Sequence, residues 1–228
     1  MPVDKDDLSP GDSNTIEEEP KKKLNIKGWV SKVATGLLIA VLAGSLLYYF
    51  WQYRPQKKSE QIAKLKLLSL TNEADSLLEK NMVEDALIIY NEVSKSISEK
   101  KEAELYGRVK NKQGVCYSEL ALISNKKDNL NKAIVAFQEA LKVYTIKKYR
   151  PEYALVQNNL GIAYSGLSQV RDKEENLAKA ISAYQEALKI FTYKKYRIEY
   201  AATQNNLGNA YSGLSKVREM GEYLAKAI

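Results

Sequence analysis

The hydrophobic and polar positions of this chain divide it into one apolar segment and a longer region of helical periodicity. From Val33 to Trp51, nineteen successive residues carry no charge. A helix rises about 1.5 Å per residue, so this segment spans most of the ~30 Å hydrocarbon core of a bilayer. We therefore predict a transmembrane helix over residues 27–53 that contacts the membrane through residues 29–51. Aromatic residues flank it, as is typical of membrane interfaces: Trp29, Tyr48, Tyr49 and Tyr53.

A cleavable secretory signal is the alternative interpretation of this segment. Val41, Leu42 and Ala43 form an acceptable cleavage site. However, the apolar stretch continues for eight residues beyond Ala43, which is longer than such a signal needs. An uncleaved, single-pass anchor is therefore favoured. Lysine and arginine residues are balanced on its two sides, so the positive-inside rule leaves the orientation open.

The residues on either side of the apolar segment differ in composition. Residues 1–26 are polar and charged and include three prolines, which predicts a disordered tail. Pro55 disfavours continuation of the helix, and residues 54–66 are expected to form a linker or the start of the next helix. Within the anchor, small residues at every fourth position can pack two helices closely, which leaves a homo-oligomer as one option. These residues are Gly36, Ala40 and Gly44.

An internal repeat occupies most of the remaining chain. Residues 147–181 and 194–228 align without gaps at an offset of 47 positions, and 26 of the 35 aligned residues are identical. The same offset reaches backwards, because Gly114 aligns with Gly161. A repeat of this length indicates supersecondary units that stack on one another.

Within each repeat the apolar residues form two stripes at helical spacing. In residues 147–193 a polar run at 171–176 separates the two stripes. Neither helix can bury its stripe alone, so the two helices must pair and successive pairs must stack. Glycine recurs in the first stripe at 114, 161 and 208, which predicts a crossing too close for a larger side chain. Four aromatic residues are expected in this core: Phe137, Tyr164, Tyr184 and Tyr211.

Two short motifs carry a resemblance to a known family. The run Asn206-Leu207-Gly208-Asn209-Ala210-Tyr211, nearly repeated at residues 159–164, matches the first-helix core of tetratricopeptide repeats. Ala180, Tyr184 and Ala187 fit the small–aromatic–small pattern of the second helix. The chain therefore resembles the tetratricopeptide repeat family. Its 47-residue unit is longer than the common unit of about 34 residues and is more similar to the kinesin-light-chain-type subgroup.

The resemblance implies an all-α fold, a right-handed α-solenoid of helix-turn-helix units that follows the transmembrane helix. We expect the array to cover residues 67–228. Its last unit is expected to stop inside a second helix, which leaves open whether the chain is a piece of a longer repeat protein. The four expected units are 67–100, 101–146, 147–193 and 194–228.

The family resemblance also implies a binding function, since first helices of such arrays line a concave surface that holds proteins or peptides. Side-chain amides there can donate and accept hydrogen bonds to an extended peptide, although they can equally bond neighbouring helices. The basic residues with which some members clamp a carboxylate are missing at these positions. The candidate residues are Leu155, Asn158, Ile162 and Ser165 in the third unit and Ala202, Asn205, Asn209 and Ser212 in the fourth.

Composition adds little evidence for catalysis. The chain contains no histidine and a single cysteine, Cys116, and it lacks metal-ligand spacings and phosphate-binding loops. We therefore expect no enzyme activity, no metal and no cofactor. Cys116 aligns with Ala163 and Ala210, which predicts a small buried side chain.

Three functions are compatible with these features. A membrane-anchored scaffold or adaptor that binds a protein partner fits the repeat and the anchor best. A regulatory region of a larger enzyme or signalling protein, with its C-terminal domain outside this chain, is the alternative. The net charge of +7 permits nucleic-acid binding, but a membrane anchor disfavours it and we expect none.

Overall fold

The computed structural model describes the backbone of residues 26–226, and the side chains in this range except 26–33, 36, 50–51, 53–55 and 221–226. The described residues form seven α-helices and no β-strand, so the prediction of an all-α fold is confirmed. The chain divides into two compact units, Met1–Lys58 and Ser59–Ile228. The helices are α1 (Ile26–Glu79), α2 (Val83–Ser96), α3 (Ala103–Ile123), α4 (Lys126–Val143), α5 (Arg150–Leu167), α6 (Lys173–Leu188) and α7 (Arg197–Lys226).

The first unit contains the N-terminal part of α1. Its apolar side chains are exposed, and Leu37, Ile39 and Leu47 each have more than half of their surface accessible. Among the described residues, no helix carries an apolar stretch that is long enough to cross a membrane. Ala40 is exposed, and no side chain or other helix among the described residues packs against Gly44. The predicted tail, apart from Ile26, lies outside the described residues, and so does the environment of Gly36.

α1 runs through Pro55, where the sequence predicted that the helix would be interrupted. A proline inside a helix removes one backbone donor. The helical hydrogen bonds before and after this position remain available, so the loss of one bond does not end the helix. Residues 54–66, for which a linker or the start of the next helix was expected, are helical and belong to α1.

The second unit is a stack of helices that pair in chain order. The end of α1 shares a core with α2 and α3, in which Ala74, Tyr90 and Val109 are fully buried. α4 contacts both α3 and α5, and α6 contacts both α5 and α7. Each of these second helices therefore buries its apolar stripe between two first helices, as the repeat predicted.

The pairs α3–α4 and α5–α6 have matching contacts one repeat apart. The Tyr106 hydroxyl donates to Glu139 Oε2 at 2.8 Å, and the Tyr153 hydroxyl donates to Glu186 Oε2 at 2.9 Å. Burial, reinforced by the Glu139 carboxylate, raises the pKa of Tyr106 to about 12. The 47-residue repeat in the sequence is thus a repeat of the same three-dimensional helix pair.

Glycine marks the close crossings that the sequence predicted. A Cβ at Gly114 would overlap the ring of Phe137, and a Cβ at Gly161 would overlap the ring of Tyr184. Both rings are almost fully buried, at 1% and 2% exposure. Only a residue without a side chain lets these rings lie against the first helix.

The fourth repeat departs from the prediction. α7 is one continuous helix, although the expected boundary between its two helices lies near residues 218–223. Tyr211 was predicted in the core but is 47% exposed, because α7 packs on α6 and α5 alone among the described helices. Gly208 likewise has open space where Gly114 and Gly161 meet a ring.

Candidate binding surfaces

The exposed face of α5 contains the third-unit residues that the sequence proposed for peptide binding. Leu155 and Ile162 are 43% and 44% exposed. α5 lies between its two neighbouring first helices, since Asn159 bonds to Asn111 of α3 and Asn158 bonds to α7. The face therefore presents two apolar side chains between adjacent first helices.

The polar residues proposed for this face divide into two groups. Asn158 accepts a hydrogen bond from the Thr203 hydroxyl at 3.1 Å, so its side-chain oxygen joins α5 to α7. Ser165 is half-buried on the same helix. The four fourth-unit candidates are exposed on α7: Ala202, Asn205, Asn209 and Ser212. Their role in binding stays a prediction.

A groove lies at the N-terminal ends of α3 and α5. It encloses about 740 Å³ and is lined by Lys64 of α1, Arg108 of α3 and Glu152 of α5. A smaller groove of about 220 Å³ continues from Leu155 to the rings of Phe191 and Tyr196. The first helices together thus form an open surface with both apolar and charged positions.

A second surface was not recognised from the sequence. A groove of about 600 Å³ lies between the second helices α2 and α4, with α3 lining it as well. The charged residues along it are Lys95, Lys110, Lys132 and Glu139. We call it the α2–α4 groove.

Hydrogen bonds fix the polar side chains of the α2–α4 groove. Gln113 is only 6% exposed, and its Nε2 donates to Asn91 Oδ1 at 2.6 Å. The Lys110 ammonium donates to the Ser94 hydroxyl at 2.7 Å. Burial lowers the pKa of Lys110, the nearby Glu139 carboxylate partly offsets that effect, and the positive charge of Lys142 adds to it.

Alignment of the repeats contains the signal for this groove. Ser94 and Gln113 stand where the next repeat has Leu141 and Leu160. Comparing the repeats position by position marks these polar substitutions, but only the packed helices place them on one groove.

The cysteine occupies the environment that its alignment predicted. Cys116 is fully buried, and burial, with a contribution from Glu119, raises its pKa to about 12. The thiolate is the nucleophile and metal ligand, so a thiol with this pKa is unreactive near neutral pH. No group of acidic, cysteine or histidine side chains among the described residues is arranged to hold a metal ion.

Comparison with known proteins gives this chain no family by similarity. No protein-family model matches the sequence, and no curated protein matches it either.

Proposed function

We propose that this chain is a membrane-anchored scaffold of tetratricopeptide-repeat type whose first helices bind a protein or peptide partner. The glycine–aromatic crossings of α3–α4 and α5–α6 support the repeat assignment, since the glycine and the ring are the motif residues of the family. In this proposal the helix pairs form a right-handed α-solenoid and the first helices line its concave side.

The observation that carries the binding proposal is the exposure of Leu155 and Ile162 on α5. The neighbouring positions Val156 and Leu160 of the same helix are buried, at 0% and 7% exposure. Leu155 also lines the smaller groove, and exposed apolar surface that lines a groove is typical of binding sites. An extended peptide that crosses α3, α5 and α7 would cover them and reach the groove at Lys64 and Arg108.

Quantitative co-purification from native membranes tests this proposal. We expect Leu155→Asp and Ile162→Asp to lower recovery of the partner about tenfold or more, because each buries a charge in an apolar contact. Ile88→Asp is the matched control, since Ile88 of α2 is 65% exposed and lies on a second helix. Equal recovery with all three variants would refute binding by the first-helix face.

The membrane part of the proposal depends on the exposed apolar side chains of α1. Leu38, Val41 and Leu46 are more than half exposed, although their transfer out of water is favourable. Resistance of the full chain to alkaline carbonate extraction would support an anchor. An N-terminus that begins after Ala43 in the mature protein would instead establish the cleavable signal. Protease protection of sealed membranes would then assign the side on which the array lies.

A further inference from the structure

We propose that the α2–α4 groove binds a carboxylate-bearing ligand, and specifically the acidic side chains of a peptide segment. This site lies between second helices and is separate from the first-helix face. It goes beyond the proposed function, because it specifies a second contact and the chemistry that this contact recognises.

The shape of the groove follows from two positions at which the repeats differ. Leucines in the later repeat are replaced here by smaller or polar side chains. Leu141 of the second repeat packs against the core, and Leu160 is 7% exposed. Their counterparts Ser94 and Gln113 are smaller or polar. The contact between α2, α3 and α4 therefore lacks the apolar volume that Leu141 and Leu160 provide one repeat later, and an open groove takes its place.

A hydrogen bond that joins neighbouring helices in the later repeats has a different partner at this groove. Gln138 Nε2 donates to the Tyr164 hydroxyl at 3.2 Å, and Gln185 Nε2 donates to the Tyr211 hydroxyl at 2.8 Å. The equivalent of these glutamines in α2 is Asn91, whose side chain is one methylene shorter. Asn91 bonds to Gln113 instead, and the aligned tyrosine lines the groove.

Positive charge exceeds negative charge on the groove. Lys95, Lys110 and Lys132 contribute three ammonium groups, and none of them has a salt-bridge partner among the described residues. Within the described lining the only carboxylate is Glu139, which pairs with Lys142 at 2.6 Å and accepts the hydroxyl bond of Tyr106. Glu139 also lies near Lys110, so the groove carries three ammonium groups against one carboxylate that already has a partner. An incoming carboxylate would therefore meet an excess of positive charge.

Two of these ammonium groups are held in place before any ligand arrives. Lys110 is fixed by the Ser94 hydroxyl and lies 5.5 Å from the centroid of the Tyr106 ring. Lys132 lies 5.6 Å from the centroid of the Tyr117 ring. Side chains that are already ordered lose less conformational entropy on binding. Two ammonium groups in fixed positions therefore favour an anion whose negative charges are spaced to meet them.

The lining favours carboxylates over phosphate. The described lining contains no arginine, the side chain whose planar fork matches phosphate oxygens. Lysines spread along a groove suit several separate charges, as in a peptide with repeated glutamates. Val135 and Ala136 provide an apolar part of the lining for the methylene groups of such side chains.

The test uses the full chain in detergent and a fluorescein-labelled peptide of alternating glutamate and alanine, with binding followed by fluorescence anisotropy. We expect saturable binding that weakens with added salt, and a loss of affinity of about tenfold or more in the Lys110→Gln/Lys132→Gln variant. Lys126→Gln/Lys127→Gln is the matched control, because it removes equal charge at the start of α4 and away from the groove lining.

A second variant keeps the test informative if the lysine variant loses structure. Ser94→Leu introduces the residue that the next repeat carries at Leu141, so the fold is expected to accept it. Filling the groove in this way should abolish peptide binding while circular dichroism stays unchanged. Peptide binding that survives Ser94→Leu would overturn the proposal.

Free glutarate and inorganic phosphate distinguish the possible sources of the anion. Glutarate that competes only weakly with the peptide supports a peptide ligand, whereas glutarate that binds alone with equal strength supports a free dicarboxylate at the same groove. Binding of phosphate alone, or of no probe, would contradict carboxylate recognition. Leu155→Asp should leave peptide binding intact, so failure of the first-helix proposal and failure of this one remain distinguishable.

Discussion

The side-chain Nδ2 of Asn176 donates a hydrogen bond to the carbonyl oxygen of Arg171 at 3.0 Å, across the turn between α5 and α6. One repeat earlier, Asn129 makes the same bond to Ser124 at 2.9 Å. In each turn the residue four positions before the asparagine has a positive φ, 42° at Asp172 and the same sign at its counterpart. Asparagine and aspartate tolerate this left-handed conformation.

The turn explains why α7 remains continuous. The fourth repeat has Glu219 and Tyr223 where the third has Asp172 and Asn176. Glutamate adopts the left-handed conformation less readily than aspartate, and tyrosine has no side-chain amide that could donate the hydrogen bond. Both signals for the turn are therefore missing, and the helix continues to Lys226.

The asparagine bond predicts a measurable loss of stability. Asn176 is 4% exposed, so Asn176→Ala removes a buried amide together with its hydrogen bond to the Arg171 carbonyl. We expect a decrease of about 1–2 kcal/mol in the free energy of unfolding. Urea unfolding followed by circular dichroism measures it. Asn205→Ala on the exposed face of α7 is the control, with an expected change within about 0.5 kcal/mol.

The glycine crossings predict opposite effects for the same substitution at aligned positions. Gly161→Ala would force its Cβ against the Tyr184 ring, and we expect destabilisation of about 1–3 kcal/mol. Gly208→Ala meets open space, so the higher helix propensity of alanine should stabilise the chain by up to about 1 kcal/mol. Thermal unfolding of the two variants distinguishes them. A similar loss at both positions would argue against the described crossing.

The environment of the Asp75 carboxylate predicts that the stability of the folded chain depends on pH. Burial raises its pKa, but hydrogen bonds from Tyr90 and Arg108 and the charge of Lys112 outweigh burial and lower the pKa below its ordinary value of 3.8. A carboxylate with a depressed pKa contributes stability above pH 3.8, and this contribution is lost as the pH falls through the folded-state pKa.

We therefore expect Asp75→Asn to be less stable than the parent chain at neutral pH by about 1–3 kcal/mol. The difference should shrink as the solution is acidified below pH 3.8. Urea unfolding at a series of pH values measures this. A difference that is constant with pH would show that Asp75 contributes through shape and not through charge.

Cys116 predicts a contrast between the folded and the unfolded chain. Its thiol is buried and has a pKa near 12, so the folded protein should not react with a disulfide reagent at pH 8. Full reaction should appear when urea unfolds the array. Cys116→Ala should cost less than about 1 kcal/mol, because alanine stands at the two aligned positions.

Much of the fold could be predicted from the sequence because the repeat carries its own packing rules. The stripes of apolar residues predicted α3 to α6 as two stacked pairs, and the glycines predicted close helix crossings. The structure shows that the rings of Phe137 and Tyr184 lie at two of these crossings. Asn158 shows a limit of this approach, since an amide that suits a peptide equally suits Thr203 of the next helix. Its actual partner depends on the distance between neighbouring helices.

Other structural features depend on whether a neighbouring helix or side chain is present. Tyr211 matches the family motif as well as Tyr164 does, yet its burial depends on whether further helices pack on α7. The α2–α4 groove exists because Ser94 leaves space that Leu141 fills one repeat later. A sequence pattern records which residue is present, and an open groove becomes visible only when its neighbours are placed.

Site-specific photo-crosslinking in native membranes tests the binding account most directly. A photoreactive amino acid at position 155 or 162 on α5 should crosslink to one partner protein, and the same amino acid at position 88 on α2 should not. These three positions are similarly open to solvent or more so, with Ile88 the most exposed at 65%. Crosslinks of equal yield at all three positions, or at position 88 alone, would contradict a binding surface formed by the first helices.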